Sequence, residues 1–307
     1  MAYFAHVGFN GTNASISAAD TGLPATTAAR TVAFWFRTFT TFGADEYKTA
    51  VAYGTRSSTN AVGIGLSNAS AGGVSGSVFV SQYGSGIFTS GAYNDGLWHL
   101  ALATYTTGTG VWELFIDDVS RASGAMTTNT TLSTFAIGQN SASGEWYRGS
   151  IAHVRVYDYV LNSGQRTAVY NSGTPNDADS TVGSGLLAYY KLTETSGTSF
   201  DDVGTGNHDG TGSNISFPAD GTASATVTVT PFAQPALFGE VAASITVTPL
   251  VWDARFATVP TPTIVVASSV ASANVYAEVA CSIIMTPKFT ASSPYLATGR
   301  HTERPGG

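Results

Sequence analysis

The chain has a single cysteine and few charged side chains. Cys281 has no second cysteine to pair with, and its place in an apolar run is typical of a small buried hydrophobe. Asp, Glu, Lys and Arg make up only 11% of the 307 residues, and the net charge is -7. Because no basic run or stripe is present to neutralise phosphates, nucleic acid is excluded as an expected partner.

Long apolar runs are also missing. No stretch approaches the roughly eighteen consecutive apolar residues of a membrane helix. The first residues, MAYFAHVGF at 1–9, contain no cationic segment, no long apolar segment and no cleavage site of the kind found in export signals. We therefore expect neither a membrane span nor an export signal.

Glycine and aromatic residues are abundant. The chain contains 34 Gly, 16 Phe, 14 Tyr and 5 Trp, and much of the remainder is Ala, Ser, Thr and Val. This aromatic content is sufficient for a packed core, so the low charge does not by itself indicate disorder. The length and composition fit one large β-rich domain followed by a smaller part.

Residues 31–37, TVAFWFR, alternate with a period of two. Phe34 and Phe36 fall on one face of the predicted strand, and Trp35 and Arg37 fall on the other. Such alternation is typical of a strand in a sandwich.

Further short strands are predicted at 49–53, 61–66 and 76–80, each bounded by Gly, Ser or Asn. Their even spacing favours a two-sheet sandwich. One helix is predicted at 163–170, where Asn162 can act as the N-cap.

Several motifs follow one another in a fixed order. The segment DGLWHLALATY at 95–105 joins a turn to an alternating strand, and VWELFIDD follows at 111–118. FAIG at 135–138, GSIAHVRVY at 149–157 and LNSGQRTAVY at 161–170 complete the series. In order and spacing these motifs resemble the laminin-G/concanavalin A-like (LamG-like) jelly roll. The resemblance implies an all-β fold with a concanavalin-like jelly-roll sandwich over residues 1–172.

Residues 173–220 are predicted to be a linker and additional strands. The segment LLAYYKL at 186–192 resembles a stretch that many relatives place before the jelly roll, whereas here it comes after. It is either a permuted edge that folds back onto the same sandwich or a remnant of a second copy. We expect the first, because too few residues remain for another complete jelly roll.

Residues 221–307 contain an internal repeat. Strand-like segments end in Thr-Pro at 230–231, 248–249 and 286–287, and a degenerate copy lies at 262–267. Because no unit alone can bury its apolar side, we expect a C-terminal β-repeat region that attaches or oligomerises the chain. The alternative is a small independent β-sandwich.

A glycosidase of this fold would need two carboxylates facing each other across a groove. No E-x-D-x-E pattern occurs. Glu113, Asp117 and Asp118 come nearest, but the two aspartates stand where the family has a hairpin turn. We therefore expect no enzymatic activity. The competing hypothesis is an enzyme with an unusual acid pair that includes Glu113 or Glu145.

Exposed aromatics beside acids and amides favour glycan binding, because sugar C–H faces stack on rings while hydroxyls form hydrogen bonds. Glu145, Trp146 and Tyr147 form the clearest such cluster. Tyr93 and Asp45 are further candidates. For Trp146 and Tyr147 the alternative is a routine packing role.

Calcium is the cofactor implied most often by the resemblance. The acidic pair that relatives commonly carry is replaced here by Ala152 and His153. Asp201, Asp202 and Asn207 form the most site-like remaining cluster. We expect no cofactor, with a structural calcium at this cluster as the alternative.

The resemblance implies work outside cells, yet the sequence begins with Met and has no export signal. Components of bacteriophage virions, made in the cytoplasm and released by lysis, reconcile the two. The sequence therefore predicts a virion structural protein, of decoration, tail or fibre type. Its jelly roll would adhere to host-surface or environmental glycans, and it would be a homo-oligomer that contacts other virion proteins through its C-terminal region. The alternative is a secreted bacterial carbohydrate-binding or adhesion module.

Overall fold

The chain divides into two units, Met1–Ser224 and Ala225–Gly307. In this computed structural model the described residues are 5–68, 74–142, 144–177, 181, 183, 185–217 and four short strands between 228 and 283. In the first unit two antiparallel sheets face each other across an apolar core. The prediction of an all-β jelly-roll sandwich is confirmed.

Sheet A has seven strands. They are β1 (Val7–Asn10), β3 (Arg30–Arg37), β8 (His99–Thr106), β9 (Val111–Ile116), β10 (Val119–Ala125), β12 (Arg148–Tyr157) and β13 (Leu186–Tyr190). Their order is β1-β12-β3-β8-β9-β10, and β13 pairs with β12 as well.

Sheet B has eight strands. They are β2 (Ser15–Ala18), β4 (Glu46–Gly54), β5 (Ala61–Asn68), β6 (Ser77–Ser81), β7 (Gly86–Phe88), β11 (Phe135–Ile137), β14 (Ser199–Phe200) and β15 (Gly210–Ser213). Their order is β14-β15-β2-β11-β4-β5-β6-β7. The strands predicted at 49–53, 61–66 and 76–80 are thereby confirmed as β4, β5 and β6.

The core between the sheets follows from the alternation of each strand. Phe34 and Phe36 of β3 point inward and meet inward-facing residues of sheet B, including Val62 and Ile64 of β5. Successive strand residues point to opposite faces, so every second residue of β5 faces away from the core. Those outward positions include Gly63, which leaves the outer surface of sheet B without a side chain at that point.

The outer face of sheet A is covered by the helix α1 (Ser163–Tyr170). Trp35 of β3 stacks on Tyr170, with ring centroids 6.0 Å apart, and the Arg166 guanidinium lies 4.0 Å from the Phe115 ring centroid. Both faces of β3 are therefore buried, although strict alternation alone does not reveal that the second face is covered.

The ends of α1 are defined by local hydrogen bonds. The Asn162 side chain accepts from the Gln165 backbone N–H at 3.0 Å, and the Gln165 side chain accepts from the Asn162 N–H at 2.9 Å. This capping box begins the helix, and Asn171 in the left-handed conformation ends it, followed by one 3-10 turn, η1 (Asn171–Gly173). The helix predicted at 163–170 is confirmed.

Residues 186–217 add strands to the same sandwich. β13 pairs with the second half of β12, on the edge where β1 pairs with the first half. β15 pairs with β2 in sheet B, and Ser216 forms an isolated bridge with Gly8. Both sheets thus use strands that follow the helix in the chain.

The described residues of the second unit form two strand pairs. β16 (Thr228–Pro231) pairs with β17 (Ala243–Thr246), and β18 (Ile264–Val266) pairs with β19 (Cys281–Ile283). Most of residues 221–307 lie outside the described residues, so the C-terminal β-repeat stays a prediction. No helix among the described residues of the chain is long and apolar enough to cross a membrane.

Candidate functional site

A groove of about 450 Å³ runs over the outer face of sheet B. Its floor is a row of small residues that lie directly opposite one another in β4, β5, β6 and β7: Ala52, Gly63, Ser81 and Gly86. Because none of them carries a large side chain, the surface of the sheet is recessed along this row. The groove can therefore receive a ligand against the sheet itself.

One end of the groove is aromatic. Phe79 of β6 lies opposite Phe88 of β7, and Tyr47 of β4 packs edge-on against Phe79 with ring centroids 5.3 Å apart. Phe79 is buried beneath its neighbours, while Tyr47 and Phe88 are half-exposed. Two partly exposed rings at the end of a recess offer apolar surface to the C–H face of a ligand.

Another part of the groove is polar. Glu145 and Arg56 form an ion pair through Oε1 and Nη2, and the Arg56 guanidinium lies 4.4 Å from the ring centroid of Tyr83. Thr49 fixes Glu145 twice, because its hydroxyl donates to Oε2 at 2.8 Å and its backbone N–H donates to the Glu145 carbonyl at 2.7 Å. A carboxylate and a guanidinium are thus held side by side.

The predicted aromatic cluster is only partly at this site. Glu145 lines the groove, whereas Trp146 is half-buried beside it and does not line it. Tyr147 is 1% exposed, packs against Phe9, and donates its hydroxyl hydrogen to the Arg37 carbonyl at 3.2 Å. Burial raises the pKa of its hydroxyl well above the usual range. The structure thus places Tyr147 in the core and outside the groove lining, and ligand binding by Tyr147 stays a prediction.

Tyr93 and Asp45 also lie outside the groove lining. Tyr93 is half-buried and packs edge-on against His99, with ring centroids 5.3 Å apart. Asp45 is exposed in the turn before β4, where its backbone is left-handed with φ 55°. The structure does not bring either residue together with Glu145.

Arg56, Phe79, Phe88 and Tyr83 were not predicted from the sequence. The available signal was weak but present: β5 alternates apolar residues with glycines, so a glycine-lined outer face could have been expected there. Phe79 and Phe88 become neighbours only through the register of β6 and β7.

The candidate calcium residues do not form an open ligand set. The Asp202 carboxylate is buried and accepts four hydrogen bonds, from the backbone N–H groups of Tyr189, Gly204 and His208 and from the His208 ring at Nδ1. Asp201 and Asn207 are exposed. A cation would have to displace these donors, so the arrangement does not fit calcium. Among the described residues no group of three or more His, Cys, Asp or Glu is placed to hold a metal ion.

His99 lies between two carboxylates. Its Nδ1 is 2.7 Å from Asp117 Oδ2, and its Nε2 is 3.2 Å from Asp95 Oδ1. Burial lowers the pKa of His99, but the hydrogen bonds and charges of Asp117 and Asp95 outweigh burial and raise the pKa above its usual value. The protonated ring can donate to both carboxylates.

This arrangement predicts a pH-dependent stability. Since the folded-state pKa of His99 is raised, its contribution is fully present below the ordinary value of 6.5 and is lost as the pH rises through the folded-state pKa. We expect the difference in melting temperature between wild type and His99→Gln to be largest at pH values below 6.5 and to shrink towards alkaline pH. The control Arg148→Gln removes an exposed cation, and its difference should stay constant over the same pH range. A constant difference for His99→Gln would contradict the prediction.

Comparison with known proteins gives one family and a set of similar folds. A family profile described as "Concanavalin A-like lectin/glucanases superfamily" matches residues 10–165. Comparison with curated protein sequences gave no match. A candidate carbohydrate-binding protein from Bacteroides ovatus is 18% identical, with a TM-score of 0.54 over 70% of this chain and 60% of that one.

Two further similar structures match over shorter parts of the chain. The CBM40 of the Ruminococcus gnavus IT-sialidase is 13% identical, with a TM-score of 0.38, 47% of this chain covered and 84% of that one. Domains LG4-5 of the mouse laminin alpha1 chain are 16% identical, with a TM-score of 0.37, 50% of this chain covered and 40% of that one. The chain thus spans about three fifths of the Bacteroides ovatus protein, and at these identities the likenesses show the fold alone.

Proposed function

Because the chain belongs to the concanavalin A-like lectin/glucanase superfamily, we propose that it is a non-enzymatic glycan-binding protein whose ligand lies in the groove on sheet B. The observation that carries the proposal is the pairing of two half-exposed rings with a fixed carboxylate and guanidinium in one recess. The description of the Bacteroides ovatus protein as a candidate carbohydrate-binding protein agrees with it.

The chemistry of the groove matches the two kinds of surface on a sugar. Pyranose rings present C–H groups that stack on aromatic side chains, here Tyr47 and Phe88. Their hydroxyls both donate and accept hydrogen bonds, and Glu145 and Arg56 offer an acceptor and a donor next to each other. The recessed floor of small residues leaves room for a pyranose ring to lie against the sheet.

The single carboxylate of the groove lining supports a binding role in preference to hydrolysis. Among its lining residues Glu145 is the only carboxylate, and it is paired with Arg56. Hydrolysis by the usual route needs two carboxyl groups on either side of the scissile bond. Glu113, another acid considered from the sequence, lies in β9 of sheet A and accepts a hydrogen bond from Ser120.

Removal of the groove aromatic is the direct test. Phe88→Ala is expected to weaken glycan binding by about tenfold or more, since truncating a central aromatic contact in a binding site commonly costs 1–2 kcal/mol or above. The measurement is a glycan array followed by calorimetric titration of each glycan that the wild type binds.

The matched control is Phe39→Ala, which truncates a ring that is 48% exposed and lies outside the groove. It should bind as the wild type does. Equal binding by wild type and Phe88→Ala would place the ligand elsewhere, and no binding of any glycan by the wild type would overturn the proposal.

We also propose where the protein works. The first candidate location is a bacteriophage virion, with the jelly roll displayed outward. There, residues 221–307 would attach the chain to other virion proteins and form the homo-oligomer. The other is a secreted bacterial carbohydrate-binding or adhesion module. A glycan-binding groove serves both roles equally, so the location stays a prediction. Detection of the chain in purified particles, as against culture supernatant, separates the two.

A further inference from the structure

Charge in the groove is limited to one pair. Of its lining residues only Arg56 and Glu145 are charged, and they neutralise each other. From this we propose that the groove selects uncharged glycans and that Glu145 sets this selectivity by occupying Arg56. The inference rests on the proposed glycan-binding function and adds the class of ligand.

Hydrogen bonds to Thr49 hold Glu145 beside Arg56. Its carboxylate accepts from the Thr49 hydroxyl as well as from Arg56, and the Thr49 backbone N–H holds its carbonyl. The ring of Tyr83 also lies against the Arg56 guanidinium. An acidic sugar would therefore have to compete with a carboxylate that is already ordered beside the guanidinium.

The surroundings of the pair offer no compensating positive charge in β4. Lys48, the basic residue in this strand, pairs with Glu46 at 2.7 Å. The pKa of Tyr47 is raised, first by burial and then by the negative charges of Asp45 and Glu145. The charges that act on the Tyr47 hydroxyl are thus both negative, which disfavours a carboxylated or sulfated ligand beside this ring.

The same pair can form hydrogen bonds with an uncharged sugar. Each carboxylate oxygen of Glu145 keeps a second lone pair beyond the one used by Arg56 or Thr49, so it can accept a ligand hydroxyl. The guanidinium has five N–H donors, of which Glu145 takes one. Two neighbouring hydroxyls on one sugar can therefore meet an acceptor and a donor together.

The test uses matched oligosaccharides that differ only at C6. β-1,4-Glucan is compared with β-1,4-glucuronan, and β-1,4-mannan with β-1,4-mannuronan, alongside a broad array in which every bound glycan is scored by charge. Wild type is expected to prefer uncharged members by about tenfold or more. In Glu145→Gln the amide still accepts from Thr49 but no longer neutralises Arg56. We expect its preference to shift by about tenfold or more towards carboxylated members.

Glu113→Gln is the matched control, because it changes the net charge equally but lies in β9 on the other sheet. Its preference should equal that of the wild type. Two results would overturn the inference and leave glycan binding intact. The first is that the wild type binds acidic members as tightly as uncharged ones. The second is that Glu145→Gln keeps the wild-type preference. Failure of the wild type to bind any glycan would instead overturn the proposed function.

Discussion

Replacing Asp202 by alanine is expected to lower the free energy of unfolding by roughly 3–5 kcal/mol. The Asp202 side chain is fully buried, and its carboxylate accepts from three backbone N–H groups and from the His208 ring. Truncation leaves these donors without an acceptor in a place that water does not reach, and each such loss costs about 1–3 kcal/mol. Urea denaturation at neutral pH measures the change.

Asp201→Ala is the matched control, because the neighbouring side chain is exposed. Its effect should stay within about 0.5 kcal/mol. Equal effects of the two variants would contradict the assignment of Asp202 as the acceptor that organises residues 202–208. A wild-type melting temperature that falls on addition of EDTA would show instead that the cluster holds a cation.

The second large effect is expected on the outer face of sheet A. Trp35→Ala should lower the free energy of unfolding by roughly 3–5 kcal/mol, because this ring is 2% exposed and fills the space between sheet A and α1. Glycan binding below the unfolding transition should be unchanged, since the groove is on sheet B. Unfolding and glycan titration of the same preparation measure both quantities.

Phe39→Ala serves again as a control, since loss of an exposed ring should change stability little. If Trp35→Ala removed glycan binding at temperatures where the protein is folded, the groove would depend on the helix-covered face. That result would contradict the separation of a structural face from a binding face.

The sequence predicted the elements whose limits are set by contacts between residues close together in the chain. The helix is bounded by Asn162 and Asn171, and its capping box needs only residues within one turn, so its limits could be predicted. The alternation in β3 predicted its two faces. It did not reveal that Trp35 is buried as well, because the helix that covers it lies more than a hundred residues further along the chain.

The groove could not be predicted in the same way. Arg56 and Glu145 are separated by 89 residues and meet only because β4 and the segment before β12 are neighbours. The aromatic cluster of Glu145, Trp146 and Tyr147 drew attention to the right region. Strict alternation would put Glu145 and Tyr147 on the same side, but Glu145 has a left-handed backbone with φ 52°, so it faces the groove while Tyr147 enters the core.

The pairing of the first two strands has a consequence for how the chain reaches its folded state. β1 pairs with β12 and bridges to Ser216, and β2 pairs with β11 and β15, so every partner of these strands lies from residue 135 onward. During synthesis the apolar side chains of Val7, Phe9 and Ile16 are therefore present before the strands that pair with β1 and β2 have been made. Such distant contacts close slowly and leave a nascent chain open to aggregation. Closure of the sandwich is thus a late event that follows emergence of its last strands from the ribosome.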